Sequence, residues 1–418
     1  MPEVRARQTL IAALAALVGF AAVTGACAQS SSDVVKRGEY LARAADCMPC
    51  HTRPDGKPYA GGRPFKLPFG TLYSSNITPD AATGIGNWSD DDFVRAMHEG
   101  IGKDGQRLYP AFPYPAYTLL SRDDVLAIKS YLFSLPPERN SPPANDLTFP
   151  FNQRWTLMFW DWLYNPNRRF AADATKSPQW NRGAYLVEAL GHCGECHTPR
   201  NFLYGLKSNK KLAGAVIEGW RAYNITSDRS AGIGSWSDRD LAQYFALGDG
   251  AHGAAAGPMG EAVEYSLSYL SDSDIAAIIV YLRSVQPVPS NIPAANPRFA
   301  DGGSSNASQI PADGELDRLH GDPGMRMFAM ACTGCHGWDG RGIADTRAVN
   351  DPQAINLTQV VLGGIELSAR GRDVSMPEFG KAYTDPEIAA LANYVTGRFG
   401  IAPTKLKPGD VAKRRNGD

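Results

Sequence analysis

Apolar residues recur at helical spacing in several stretches of this chain, and two of those stretches are copies of one another. LSRDDVLAIKSYLFSL (120–135) and LSDSDIAAIIVYLRSV (270–285) each predict one helix. Both begin Ser-x-x-Asp, which resembles a capping box with Asp in the acidic place. Upstream, NITPDAATGIGNWSDDDF (76–93) recurs as NITSDRSAGIGSWSDRDL (224–241), and KRGEYLARAADCMPCH parallels NRGAYLVEALGHCGECH. A shorter third unit holds GMRMFAMACTGCH and the closing helix YTDPEIAALANYVTGRF. Self-similarity at this scale marks repeated units. Each unit reads as helix, short motif, loop, short helix, loop, terminal helix, so the expected fold class is all-α. Pro-rich links, LPPERNSPPANDLTFP (135–150) and QPVPSNIPAANP (286–297), separate them, and the polar tail from Ala402 onward is expected to be loose.

One stretch stands apart. In FNQRWTLMFWDWLYN (151–165), Phe151, Trp155, Met158, Phe159, Trp162 and Leu163 fall on one helical face. The simpler expectation is a helix packed between domains. The sharper one is an aromatic surface for a partner subunit or the membrane interface.

At 418 residues the chain is too long for one compact core, which favours several domains. A net charge of −1, with no basic block longer than the tail's KRR, argues against a nucleic-acid partner. The N-terminus has the order of a secretory signal: Arg5 and Arg7, an apolar run from Leu10 to Val23, then Ala26-Cys27-Ala28 as a small-x-small cleavage site. A lipidated Cys27 is the second reading, since Thr24 sits where an aliphatic residue is expected. No other segment is long and apolar enough to cross a bilayer. The mature protein is expected to be exported.

The remaining cysteines fall into three pairs, Cys47/Cys50, Cys193/Cys196 and Cys332/Cys335, each followed at once by His in CMPCH, CGECH and CTGCH. C-x-x-C-H is the attachment signature of c-type haem. Thiols at i and i+3 share a helical face and can form thioethers with both vinyl groups of one porphyrin. The histidine that follows ligates the iron. The competing reading, zinc or redox CxxC sites, suits a single cytosolic copy better than three exported ones. The expected cofactors are therefore three covalent haem c groups, with His51, His197 and His336 as proximal axial ligands.

An electron-transfer haem usually has its sixth position filled, and a thioether there raises the potential. Met259 in AAGPMGE and Met376 in VSMPEFG lie in Gly/Pro-containing loops ahead of the closing helices, where a chain can cross to the other porphyrin face. The first unit carries Phe112 at that place, in LYPAFPYPAY, and a phenyl ring cannot ligate iron. Met97 stands opposite Phe245 in the repeat, which reads as core. His98 stands opposite Ala246 and could turn inward, though an exposed helical His is the commoner outcome, and Met48 is on the proximal side. The first haem is thus expected to be five-coordinate behind an apolar lid, or ligated by His98 or Met97. Trp88 and Trp236 are placed either near the haem propionates or edge, or in ordinary core.

Three CxxCH motifs, the doubled NIT-x-D…GIG-x-W-S-D signature and AHGAAAGPM resemble the triheme cytochrome c subunits of membrane-associated bacterial dehydrogenases, the alcohol, gluconate, sorbitol and fructose dehydrogenase group. The resemblance implies three tandem cytochrome c domains joined by Pro-rich linkers. The expected boundaries are a signal peptide at 1–28, domains at 33–140, 177–287 and 319–400, linkers at 141–176 and 288–318, and a tail at 401–418. It also implies a periplasmic subunit at the outer face of the cytoplasmic membrane, taking electrons from a quinoprotein, flavoprotein or molybdenum-enzyme partner and passing them to ubiquinone or a downstream cytochrome. Met259 and Met376 match that family's distal ligands. Phe112 departs from it, because the family usually writes YPAMPY where this chain has YPAFPY. No Ser/His/Asp order, phosphate loop or flavin fingerprint appears, and the GIG at 84–86 and 232–234 lacks the third glycine of a dinucleotide motif. The competing functions are a free-standing periplasmic carrier and a haem enzyme acting at an open first iron.

Overall fold

The computed structural model describes residues 31–293, 321–344 and 346–417. The expected signal peptide, Cys27 and residues 294–318 of the second linker lie outside the described residues.

The described residues begin with α1 (Ser31–Ala44), the single turn α2 (Cys47–Cys50), the hairpin β1 (Pro64–Leu67) and β2 (Gly70–Tyr73), α3 (Asp90–Glu99), the turn α4 (Tyr114–Tyr117) and α5 (Arg122–Ser134). After the link come β3 (Asp146–Leu147) and α6 (Leu157–Tyr164). The same order then repeats as α7 (Pro178–Tyr185), α8 (Gly194–His197), the hairpin β4 (Ala215–Ile217) and β5 (Trp220–Ala222), and α9 (Asp238–Leu247). The short pair β6 (Asp249–Gly250) and β7 (Gly253–Ala254), α10 (Pro258–Tyr265) and α11 (Asp272–Ser284) complete it. The last stretch holds α12 (Pro323–Met327), α13 (Thr333–His336), α14 (Ile355–Gly363), the hairpin β8 (Ile365–Ala369) and β9 (Arg372–Met376), α15 (Asp385–Phe399) and α16 (Pro408–Asn416). The architecture is helical, but the all-α expectation needs correction: segments read as loops contain antiparallel hairpins, and β3, drawn from the Pro-rich link, adds an edge to β2.

In each stretch the first helix crosses a later long helix, α5, α11 or α15, at a glycine. A Cβ on Gly38 would lie 1.9 Å from the Ala127 carbonyl oxygen, one on Gly183 would lie 1.9 Å from that of Ala277, and one on Gly324 would lie 2.2 Å from that of Ala390. Only hydrogen fits there, so the two backbones touch. The apolar residues of α5 and α11 then close over the same contact: Val125, Ile128 and Leu132 in one, Ile275, Ile278 and Leu282 in the other are all buried.

The first two stretches share one apolar core, running from Leu41 and Ile128 to Leu186 and Leu282. They meet through matching polar contacts that imply a local two-fold relation. Arg37 pairs with Asp124 at 2.6 Å, and Tyr185 of the second stretch donates to the same carboxylate at 2.5 Å. Reciprocally, Arg182 pairs with Asp274 at 2.6 Å, and Tyr40 of the first stretch donates to it at 2.6 Å. This accounts for half of the predicted capping boxes. Ser121 and Ser271 do cap α5 and α11, but the acids Asp124 and Asp274 turn away to make the interface.

The third stretch has its own core around Phe328, Ile388, Val395 and Phe399. It docks on the second: Arg221 pairs with Asp351 at 2.8 Å, and Arg370 bonds the Ser268 and Leu270 carbonyls and Asp272. The tail expected to be loose is instead the helix α16. Val411 is fully buried there, and Arg414 bonds Gln353, Ala354 and Thr358. Two apolar anchors, Leu406 and Val411, and two multidentate arginines, Arg414 and Arg415, order a segment whose composition alone looks unfolded.

The aromatic helix is also corrected. The six apolar residues expected on one face are all exposed, Trp155 at 65% and Trp162 at 82%, while α6 docks through Leu157 and Asp161. Asp161 accepts from Tyr114 and Arg107, so the polar side faces inward.

Replacing Gly183 by Ala should lower stability by about 1–3 kcal/mol, the usual range for overpacking a tight contact. Gly409→Ala, where a Cβ meets nothing within 4 Å, is the control. Thermal melts followed by circular dichroism decide, and equal melting temperatures for the two variants would refute the close crossing.

Candidate haem-attachment sites

Each C-x-x-C-H stretch forms a single helical turn, α2, α8 or α13. The chain must bend sharply from the preceding helix to enter it. Asp46 (φ 51°) and His192 (φ 35°) make that bend in left-handed backbone, a region that Asp and His tolerate better than most residues. The second and third motifs are also preceded by π-helical turns, Leu186–Leu190 and Phe328–Cys332, of the kind concentrated at functional sites.

The three histidines are held alike. Nδ1 of His51 bonds the Ser75 carbonyl at 2.7 Å, Nδ1 of His197 the Tyr223 carbonyl at 2.6 Å, and Nδ1 of His336 the Arg341 carbonyl at 2.8 Å. A carbonyl can only accept, so each ring carries its proton on Nδ1 and leaves Nε2 as the free lone pair. This is how proteins orient a metal-ligating imidazole. Burial also pushes the pKa of His51 and His197 down, keeping both rings neutral.

The doubled Asn-x-Thr now has a purpose. Asn76 Oδ1 accepts from the Thr78 amide (2.9 Å) and hydroxyl (2.7 Å), and Asn224 does the same for Thr226 at 2.8 and 2.7 Å. Their Nδ2 groups donate into the following Pro-rich links, to the carbonyls of Glu138 and Val288 at 2.7 Å each. The residue before each Asn supplies the carbonyl that orients the histidine. The GIG glycines serve the same loop: a Cβ on Gly84 or Gly232 would lie 2.2 Å from the carbonyl of Thr78 or Thr226.

The chemistry of the donors fits covalent haem. None of the six motif cysteines is tied up in a disulfide. Burial pushes Cys47, Cys193 and Cys196 up to about 12 and Cys332 up to about 11, the reverse of what a reactive or metal-bound thiolate requires. Among the described residues no three His, Cys, Asp or Glu side chains converge as a metal-ion site. Beside the second motif, Trp236 Nε1 and Tyr223 Oη are buried donors with no partner, which suits the acidic edge of a porphyrin.

On the other side, Met259 lies in the first turn of α10, half-buried against a small cluster that also contains Leu367 and Ala369 of the third stretch. Met376 ends β9 opposite Ile365. Phe112 packs on Tyr114 and Tyr117, its ring centre 6.3 and 5.5 Å from theirs. Met97 belongs to the shared core with Phe93, Ile85 and Tyr117. Contrary to the expectation of an exposed helical side chain, His98 is buried beside the backbone of Leu120, where burial first and then Arg169 push its pKa down to about 4. Its repeat equivalent, Ala246, lines the groove between α9 and α11 with Ile275 and Ile279. That register turns His98 toward α5. Met48, inside the first motif, stays among the residues packed on this core. Trp88 does too, and Trp236 stacks on His252 with ring centres 3.9 Å apart.

Residues 35–136 match the family described as cytochrome c, and residues 320–395 match cytochrome c oxidase, cbb3-type, subunit III. The chain is 40% identical to the fructose dehydrogenase cytochrome subunit of Gluconobacter japonicus, over 92% of its own length and 83% of that protein. It is 36% identical to the gluconate 2-dehydrogenase cytochrome c subunit of Pantoea cypripedii, over 98% and 95% of the two chains. It is also 36% identical to the cytochrome c subunit of the quinone alcohol dehydrogenase of Gluconobacter oxydans, over 96% and 87%.

Asn224→Ala removes a buried side chain that ties its own loop to the Pro-rich link, and should cost about 2 kcal/mol or more through the groups it leaves unpaired. Chemical denaturation of the holoprotein checks this. A loss no larger than that of an exposed Asn, such as Asn87, would show that the turn is not needed.

Proposed function

Because the chain belongs to the cytochrome c subunits of dehydrogenases, and is thus an electron-transfer subunit built of helical cytochrome c domains that hold covalent haem c, we propose that it carries three such groups in tandem. Cys47/Cys50, Cys193/Cys196 and Cys332/Cys335 form the thioethers, and His51, His197 and His336 bind the irons. The domains span 33–140, 177–287 and 319–400. Three imidazoles fixed through Nδ1 to backbone carbonyls, each one turn from a cysteine pair, are the observation that carries this reading. Bound haem supplies a one-electron ferric/ferrous couple. The protein's part is to hold the sites in order, shield them and set their potentials.

The contacts support the second unit as the middle of the relay. It shares a core with the first and is tied by ion pairs to the third, whereas the first meets the third stretch only through Lys66 and the Asn416 carbonyl among the described hydrogen bonds. The third motif is the most open, with Cys335 exposed and Met330 82% exposed beside it. That makes it the natural door for exchange with a partner. The donor is a dehydrogenase catalytic subunit, a quinoprotein, flavoprotein or molybdenum enzyme, and the acceptor is ubiquinone or a downstream cytochrome.

Met259 and Met376 are the distal ligands of the second and third irons. For the first, His98 is turned toward α5, and the two repeats exchange partners: Met97 with Phe112 in one, Phe245 with Met259 in the other. A sulfur moved from the loop to the helix, with a ring filling the place it left, favours Met97 as the donor. The whole works in the periplasm, at the outer face of the cytoplasmic membrane. No described helix can cross a bilayer, and the outward aromatic face of α6 is the contact surface.

Intact mass of the exported protein should show three haem adducts, and two or fewer would overturn the relay. Met97→Leu should convert one low-spin haem to a high-spin, CO-binding form, read by EPR and visible spectra. An unchanged spectrum would return the first haem to an open site behind Phe112. Replacing both Trp155 and Trp162 by Ser should cut binding to phospholipid vesicles at least tenfold in a sedimentation assay, given about 1–3 kcal/mol per inserted ring. Undiminished binding would exclude this face.

A further inference from the structure

Arg347 belongs to the third stretch, on the short turn Arg347–Asn350, yet its side chain lies inside the second. The residue is only 6% exposed. One guanidinium nitrogen, Nη1, donates to the Asn224 carbonyl at 2.8 Å, and Nη2 donates to that of Gly232. The guanidinium carbon sits 5.4 Å from the Trp236 ring centre and 5.8 Å from that of Tyr223. It therefore stands on the loop whose Tyr223 carbonyl orients His197.

What is missing is an anion. Arg347 makes no ion pair with any described carboxylate, and its Nε is buried without a hydrogen-bond partner. Trp236 Nε1 and Tyr223 Oη, on the two rings beside it, are buried and unpartnered as well. A buried guanidinium that keeps its charge must meet a negative group or lose several kcal/mol of hydration. Burial drags its pKa down to about 10, still protonated at neutral pH. Three unpartnered buried donors on neighbouring side chains, one of them cationic, suit a single carboxylate. Where the second unit holds haem, the carboxylates available at its edge are the propionates.

We infer that Arg347, together with Trp236 and Tyr223, anchors a propionate of the second haem, so that docking of the third unit completes the cofactor site of the second. This rests on the haem assignment of His197 and Cys193/Cys196 above. Two consequences follow. Neutralising a propionate beside the iron disfavours the ferric state, which raises the potential of that haem alone. The same contact makes the potential of the middle haem depend on how the third unit is seated, which couples the exit of the relay to its centre.

The test is spectroelectrochemical titration of the full-length holoprotein, with intact mass confirming three adducts. In Arg347→Gln one of the three redox components should move to lower potential while two stay in place, and Arg347→Lys should recover part of the shift. Trp236→Phe and Tyr223→Phe should move the same component in the same direction by less. Propionate bending modes in resonance Raman spectra should change for one haem only, a signature that loosened packing would not give. Three adducts with no shift, or with all three components displaced together, would overturn the inference and leave the haem assignment intact. Fewer than three adducts in the unmutated protein would instead sink the assignment itself. Should Arg347→Gln fail to accumulate, the two aromatic variants decide, and unchanged potentials in both would refute the anchor.

Discussion

The bond from each motif histidine to a backbone carbonyl is the constraint around which the rest of the protein is arranged. A cysteine pair and a histidine on one turn of helix are too few residues to define a site by themselves, since the imidazole can rotate. Fixing Nδ1 fixes the ring, and fixing the ring requires a carbonyl delivered from a distant part of the chain. In the first two units that carbonyl is supplied by a loop held by Asn76 or Asn224, tightened by glycines where no Cβ fits, and tied to the Pro-rich link that follows. The links are thus part of the sites they appear to separate. The third unit solves the same problem more cheaply, taking the carbonyl of Arg341 from a turn five residues on. That economy matches its shorter length and its more open motif.

The second constraint is the pairing of the first two units. Tyr40 and Tyr185 exchange across the interface to acids that would otherwise cap helices, and each acid also holds an arginine of its own unit. A carboxylate with both a cation and a phenol on it is satisfied even when partly buried, so the contact is specific as well as tight. It brings the two motifs together: the Tyr117 ring of the first unit lies 5.5 Å from His192, the residue before Cys193. For one-electron transfer, closeness held by a rigid shared core matters more than any single side chain. The third unit is seated differently, through arginines reaching into the second, so the proposed relay has one fused joint and one docked joint.

What could be read from the sequence divides along the range of the interactions. The cysteine–histidine spacing, the closing helices and the repeats are local, and periodicity exposes them directly. The hairpins were missed because strands of three to five residues such as Ala215–Ile217 are too short to show alternation. Gly38, Gly183 and Gly324 were legible as repeated letters, but their reason is a backbone crossing with a helix far along the chain. The doubled Asn-x-Thr was recognised as a signature without its function, since the histidine it serves lies 24 or 26 residues from the carbonyl. Arg347 left no signal at all. It sits in an unremarkable stretch of the third unit, and only the docked arrangement shows where its charge goes.

The aromatic helix reverses the usual rule of amphipathic packing, and the reversal follows from Asp161. With that carboxylate accepting from both Arg107 and Tyr114, the helix gains more from turning its polar side inward than from burying a row of rings against a core already filled by its own units. Trp155, Met158, Phe159 and Trp162 are then left facing out together with Phe149 and Phe202. A patch of this kind, in a chain with no spanning helix among its described residues, is costly in water unless something covers it. Tryptophan is suited to the boundary between lipid and water, where its ring is buried and its indole N–H stays wet. The proposed transfer of electrons to a membrane-dissolved acceptor would use such a surface, and the ion pair at Asp161 is what turns the rings outward.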